Sequence, residues 1–220
     1  MRRRELVNFK MKQVLYPILA GLTIIGTACP QSEVPRFSGS IGAGFTTPVY
    51  GTGQRFDGGW NAGAGVGFNL SKYLGVEGQF QFNDLDVNSA TLTGLGYPNG
   101  SMRMWSVTLD PVIHFAPSNK FNPYIIGGGG LYHRTLEFTA PTLANTFGFD
   151  PFFGIYPATI VANQVLSSSS VYKPGFNGGA GFSIPLGSSK VKLFAEARYH
   201  YMYTAPRGTS ILPVTFGVRW

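Results

Sequence analysis

One cysteine in 220 residues excludes an intrachain disulfide, so the fold cannot rest on a disulfide framework. Charge is also scarce. Asp, Glu, Lys and Arg make up 12% of the chain, about half the usual share, whereas a soluble domain of this length covers its surface with more. No stretch after residue 28 has 18 consecutive apolar residues, so no transmembrane helix is expected. No basic patch with interleaved aromatics occurs, which sets nucleic-acid binding aside. The formal charge of +7 does not argue for it either. Five of the 17 basic residues (Arg2, Arg3, Arg4, Lys10, Lys12) and one acid (Glu5) precede residue 13, and twelve basic and nine acidic residues follow residue 28. What the chain has in excess is aromatic and small: 15% Phe, Trp and Tyr, and 30 glycines. That composition suits a thin-walled all-β structure with an apolar exterior.

Residues 1–28 read as a secretory signal. Lys10 and Lys12 form its basic region, residues 14–25 its apolar stretch, and Gly26-Thr27-Ala28 its small cleavage residues. The apolar stretch is too short to span a bilayer as a helix, which disfavours an N-terminal anchor. Met11 opens a conventional signal on its own, so residues 1–10 are a candidate start-site artefact. Cys29 occupies the position of a lipoprotein cysteine, but Gly26 stands where such signals carry Leu. An ordinary cut after Ala28 beside an incidental cysteine is the favoured reading, and Pro30 disfavours a cut directly after Cys29. Residues 29–35 then form a short linker ahead of the domain at 36–220.

Within that domain, apolar and polar residues alternate with period 2 in segments of about ten residues, the pattern of a membrane-spanning strand. Residues 60–70 show it most cleanly: Trp60, Ala62, Ala64, Val66, Phe68 and Leu70 against Asn61, Gly63, Gly65, Gly67 and Asn69. Similar segments fall at 36–45, 74–85, 102–115, 172–184, 191–203 and 210–220. An eighth at 122–135 has its facing obscured by Gly127–Gly130. Pro111 lacks a donor and is expected to mark a bulge or local break. Connections alternate in length. Residues 46–59, 86–101, 136–171 and 204–209 form one class; the short 71–73, 116–120 and 186–190 form the other. Bacterial outer-membrane barrels put short turns in the periplasm and longer loops outside. An open sheet edge in hydrocarbon would strand its backbone groups, so the sheet must close. The expected fold is all-β: a closed eight-stranded antiparallel up-and-down transmembrane β-barrel.

Residues 176–182 (FNGGAGF), 194–201 (FAEARYHY) and 213–220 (PVTFGVRW) resemble the eight-stranded outer-membrane β-barrel family that includes the OmpA transmembrane domain and OmpX. Residues 122–130 (NPYIIGGGG) resemble that family's fifth strand. The resemblance covers nearly all of the chain after residue 35 and implies a cell outer-membrane location with periplasmic termini. It does not imply one activity, since members include structural proteins, adhesion or invasion factors and a few lipid-modifying enzymes. No soluble peptidoglycan-binding domain like that of full-length OmpA is expected.

Three groups of residues stand out. Glu77, Asp110, His114, Lys192, Glu196, Arg198 and Arg219 all fall on the expected inner face. The lumen of an eight-stranded barrel is just wide enough to be filled by side chains, and buried charges must pair. A structural plug is therefore favoured over a path for ions, with Glu77 and Glu196 pairing to Arg198, Lys192 or Arg219. The row Leu212, Val214, Phe216, Val218 and Trp220 ends the domain in an aromatic, as in the resembled family, and is read as a signal to the outer-membrane assembly machinery. The connection 136–171 carries Phe147, Phe149, Phe152, Phe153 and Tyr156, and reads either as an external contact surface or as a loop folded over the barrel mouth, with Ser167–Ser170 as flexible polar chain.

No Gly-x-Ser-x-Gly elbow is present, and His114, His133 and His200 lie on separate segments without metal-ligand spacing. No enzyme activity, cofactor or metal is expected. The leading expectation is a non-enzymatic envelope protein, structural or adhesive through its external loops, with outer-membrane lipids, the assembly machinery and an unidentified surface partner as its contacts. A narrow channel or transporter of small solutes is the alternative. A secreted, lipocalin-like lipid carrier is less favoured, because the inward faces are polar.

Overall fold

The computed structural model describes residues 36–117, 120–187 and 191–220. The expected signal, the linker at 29–35 and Cys29 lie outside them. Eight strands form a closed barrel in which each pairs with its sequence neighbours. They are β1 (Phe37–Pro48), β2 (Phe56–Asn69), β3 (Leu74–Val87), β4 (Asn99–His114), β5 (Asn122–Asp150), β6 (Gly154–Pro185), β7 (Lys192–Met202) and β8 (Thr209–Arg219), with one short helix, α1 (Ser89–Leu95), between β3 and β4. All pairings are antiparallel, and β1 closes on β8 from Ser40↔Arg219 to Pro48↔Ile211. Two further bonds of 3.0 Å between Gly39 and Trp220 complete the seam.

Alternation sorts the side chains. Phe37, Ile41, Phe45, Val66, Phe80, Val107, Leu109, Ile113, Ile125, Leu131 and Phe216 point outward and are exposed. An exterior this apolar is stable only against hydrocarbon. Two aromatic girdles bound it. Phe37 packs on Phe68 and Phe121 on Phe182 at one end; Trp105, His133 and Tyr172 cluster at the other. From Phe115 to Trp105 along β4 is about ten residues, which at roughly 3.3 Å each and a tilt near 40° gives an apolar band of about 25 Å. Just beyond the second girdle an exposed Arg103–Glu137 ion pair marks the return to water.

The fifth strand's facing is now clear. Tyr124, Ile126 and Tyr132 are buried in the lumen, while Ile125 and Leu131 face outward. The glycine run has a steric cause. A Cβ on Gly128 would lie 2.1 Å from the Leu109 carbonyl oxygen and one on Gly130 2.0 Å from that of Val107.

Pro111 marks the expected local break, without a bulge: the β3–β4 register runs unbroken past it, and β4–β5 keeps its register with pairing skipped only at residues 110 and 111. Two sequence expectations need correction. The connection 86–101 contains α1, capped by the Asn88 side chain, which accepts from Thr91 N at 2.8 Å, and ended by Gly96 at φ 74°. The largest correction concerns 136–171, which is not a loop. β5 and β6 run on together for 29 and 32 residues and pair as far as Asp150↔Gly154, so only residues 151–153 turn. Ser167–Ser170 lies within β6 and pairs with 135–138. Thr, Val and Ile favour strand here, and the two arms satisfy each other's backbone without the wall. A register shift at Phe138/Thr139 falls where β4 stops pairing, at Asn99↔Thr139.

Candidate functional site

Two regions carry the chemistry that distinguishes this chain: the lumen and the projecting β5–β6 hairpin. In the lumen, Asp110 on β4 accepts from Thr108 Oγ1 (2.7 Å), Asn177 Nδ2 (2.8 Å) and Arg198 Nη1 (2.9 Å). The Arg198 Nε donates to Glu196, which also accepts from the Tyr124 hydroxyl at 2.9 Å. Glu77 accepts from Ser40 Oγ at 2.7 Å and from Arg219 Nη2 at 2.9 Å. The Arg219 guanidinium also lies over the rings of Tyr124 and Phe194, at 5.0 and 5.3 Å. All five charged groups are buried, so each depends on its partners.

Of the seven residues singled out in the lumen, the structure thus joins five: Glu77 with Arg219, and Asp110 and Glu196 with Arg198. The other two stay apart. His114 bonds Asn122 at 3.0 Å, and Lys192 is half-buried and enters no ion pair among the described residues. Asp110 as the second acceptor of Arg198 was not foreseen, because β4 and β7 are not neighbours in the wall and the contact crosses the lumen. A second polar set, Thr46, Asn61, Asn83 and Thr215, is linked by bonds of 2.8 to 3.2 Å.

Sequence reasoning missed the upper lumen entirely. Beyond the polar layer, towards α1, the interior is apolar: Phe56, Leu85, Val87, Met102, Met104, Tyr132, Met202 and Ile211 form one buried cluster, with Leu92 of α1 packed against it. The signal was available, since Leu85 and Val87 continue the parity of Gln81 and Asn83, and Met102 and Met104 that of Ser106. The lumen is therefore filled twice, by paired charges and by hydrocarbon.

The expected assembly row faces outward, with Phe216 and Trp220 exposed. The Trp220 indole covers Gly39, where a Cβ would come within 2.5 Å of the ring. Of the histidines, His133 is in the outer girdle, packed on Tyr172 at 4.2 Å between ring centroids, while His200 bonds the Tyr132 hydroxyl at 3.0 Å inside. Among the described residues no three His, Cys, Asp or Glu side chains are placed to hold a metal.

The five aromatics of the hairpin do not form one patch. Phe147 and Phe149 share a face with Ile155, Leu143 and Val161, all more than two-thirds exposed. Tyr156 lies on the opposite face, its ring covering Gly148, where a Cβ would stand 2.5 Å away. Phe152 and Phe153 form the tip, 91% and 87% exposed. Their backbone N–H groups donate to Asp150 Oδ1 at 2.7 and 3.0 Å, and Gly154 at φ 77° completes the turn. None of these rings is folded back over the barrel mouth.

A closed eight-stranded sheet with an apolar belt between aromatic girdles and a filled interior defines a transmembrane β-barrel of the outer-membrane type. The chain belongs to the family described as outer membrane protein beta-barrel domain, whose sequence profile matches residues 18–218. That membership places it in the outer membrane, and the secreted soluble carrier falls away. Among solved structures it is similar to Neisserial surface protein A, at 13% identity and a TM-score of 0.53, covering 84% of this chain and 96% of that one. It is also similar to a major outer membrane protein of Thermus thermophilus, at 12% identity and a TM-score of 0.52, covering 84% and 98%. The attachment invasion locus protein of Yersinia pestis matches at 18% identity and a TM-score of 0.48, covering 84% and 100%. At such identities the likeness is one of fold. No curated protein matches the sequence.

Proposed function

We propose that this protein is a non-enzymatic surface-contact protein, in which the barrel anchors and the β5–β6 hairpin reaches. The observation that carries this reading is the hairpin itself. It continues past the last barrel pair, Asn99↔Thr139, to Asp150, roughly 35 Å of ribbon at about 3.3 Å per residue. It holds its large apolar side chains in the open, where exposed patches mark interaction sites. It rises from the same end as α1, opposite the short turns and the Gly39–Trp220 seam, which in this reading faces away from the cell. Residues 1–28 act as the export signal and the row ending in Trp220 as the assembly signal. The doubly filled lumen supports a plug over a channel, and the wild-type protein is expected to show no large, steady conductance in planar bilayers.

The test replaces residues 140–164 by an Asn-Gly turn in the full chain. Cells displaying equal amounts of wild-type and shortened barrel are compared for adherence to a hydrophobic surface, to host-cell monolayers and to each other. The reading expects a loss in at least one assay. Equal behaviour in all three sinks it.

A further inference from the structure

The hairpin has three properties that together specify what lies against it. The first is its free edges. Beyond Thr139 the β5 backbone pairs only with β6, and beyond Pro174, whose carbonyl accepts from Tyr203 N at 3.1 Å, β6 pairs only with β5. An open, extended edge is a template for a further strand, and natural proteins normally blunt it with Lys, Pro or a bulge. Here Pro141 and the register shift at Phe138/Thr139 blunt only the base of the β5 edge, and residues 142–149 contain no charge and no proline.

The second is the near-absence of charge. Between Glu137 and Lys173 the only charged residue is Asp150, at the tip, and no Lys or Arg lies between Arg134 and Lys173. The hairpin has no cation with which to hold a phosphate or sulfate surface, and its single like charge, Asp150, sits at the tip rather than along the ribbon. The third is the extent of the apolar face. Leu143, Phe147, Phe149, Ile155, Val161 and Val165 line one side of the ribbon rather than its tip alone. A bilayer would take the tip; a face of this length calls for a partner lying alongside.

Resting on the surface-contact reading, we propose that the occupant is a second copy of this chain on an opposed membrane, joined by antiparallel pairing of the two β5 edges. Hairpins from facing membranes point at each other, so like edges run antiparallel and close about a two-fold axis. Pairing centred on Asn145, the midpoint of 140–150, sets Leu143 against Phe147 of the second copy on the apolar face and Ala144 against Thr146 on the other. Pairing along one edge joins two backbones over about eleven residues and sets the apolar faces of the two ribbons side by side, a contact well below the roughly 1,200 Å² of a stable standard interface. Single contacts are weak, and adhesion comes from many copies acting together.

The experiment uses vesicles carrying the full barrel with its hairpin outside, verified by protease, in two fluorescent colours. Wild-type vesicles should cluster with each other, and at least tenfold more slowly with vesicles bearing the 140–164 replacement or no protein. The double variants Ala144→Lys/Thr146→Lys and Ala144→Glu/Thr146→Glu should each fail to cluster alone yet cluster when mixed, because the pairing sets these positions opposite one another. Equal clustering of wild-type vesicles with protein-free vesicles would make lipid the occupant and overturn the proposal. Failure of wild-type vesicles to cluster, while cells keep hairpin-dependent adherence to another surface, would overturn this occupant and leave the surface-contact reading standing. Loss of that adherence as well would remove both.

Discussion

β5 is one continuous strand with two different lives. From Asn122 to Thr139 it has a neighbour on each side, and its inward side chains, Tyr124, Ile126 and Tyr132, are buried. From Ala140 to Asp150 it has one neighbour, and none of its side chains is buried. The lower part holds the barrel together and tolerates little change. The upper part contributes little to the barrel and is free to vary. Substitutions in the two parts should therefore separate stability from contact.

The largest stability effect is expected in the lumen. Arg198→Ala removes the partner of both Asp110 and Glu196, leaving two buried carboxylates without their cation. Losses of about 3–5 kcal/mol accompany such breaks. Urea unfolding in detergent or lipid should show the midpoint falling accordingly, with weaker heat-modifiable migration on gels. A change below about 1 kcal/mol would mean that the carboxylates are met by water, and that the lumen is wet rather than sealed.

Next comes the apolar layer. Met104 is buried against Leu85, Met102 and Ile211, so Met104→Ala should cost about 2–5 kcal/mol through lost contact and the cavity left behind. The same unfolding measurement applies. Together, Arg198→Ala and Met104→Ala ask whether the paired charges or the hydrocarbon contribute more to the filled interior.

The sequence carried the wall but not the hairpin, for a physical reason. In the wall each strand separates lipid from lumen, and that demand writes period-2 alternation into residues such as Trp60 to Leu70. Beyond the wall nothing separates two environments, so Thr139 to Val165 answers only to its own two-strand pairing and reads as loop. Gly127–Gly130 hid the facing of β5 because its side-chain information was removed to admit the carbonyls of Val107 and Leu109. Of the site, the inner-face residues were legible from parity, and the Glu77–Arg219 and Glu196–Arg198 pairs fall within the set expected from it, but the partner of Asp110 was not. Arg198 meets Asp110 across the lumen, and strand stagger rather than sequence order decides that encounter. The apolar upper lumen was hidden differently: Leu85 and Met104 have the right parity and the wrong chemistry for a lumen expected to be polar.

Orientation gives a third break point. A protease-sensitive tag inserted between Phe152 and Phe153 should be cut on intact cells, whereas one after Lys72, in the turn between β2 and β3, should be cut only once the outer membrane is breached. The reverse pattern would put the hairpin in the periplasm and end its surface role.

The smallest stability effect is expected at the hairpin face, and it is the most telling for the comparison. Phe147→Ser and Phe149→Ser replace rings that are about three-quarters exposed. Exposed substitutions away from caps and strained turns usually stay within about 0.5 kcal/mol. These positions also lie past the register shift at Phe138/Thr139, outside the ladder that closes the barrel. The double variant should therefore match wild type in unfolding midpoint, heat-modifiable migration and membrane yield, while vesicle clustering falls severalfold because Phe147 meets Leu143 of the second copy in the proposed pairing. Should the midpoint drop by about 2 kcal/mol or more, the rings would be packing against the barrel in solution and the two parts of β5 would not be independent. Should stability and clustering both be unchanged, the edge alone would carry the contact, and the apolar face would need another partner.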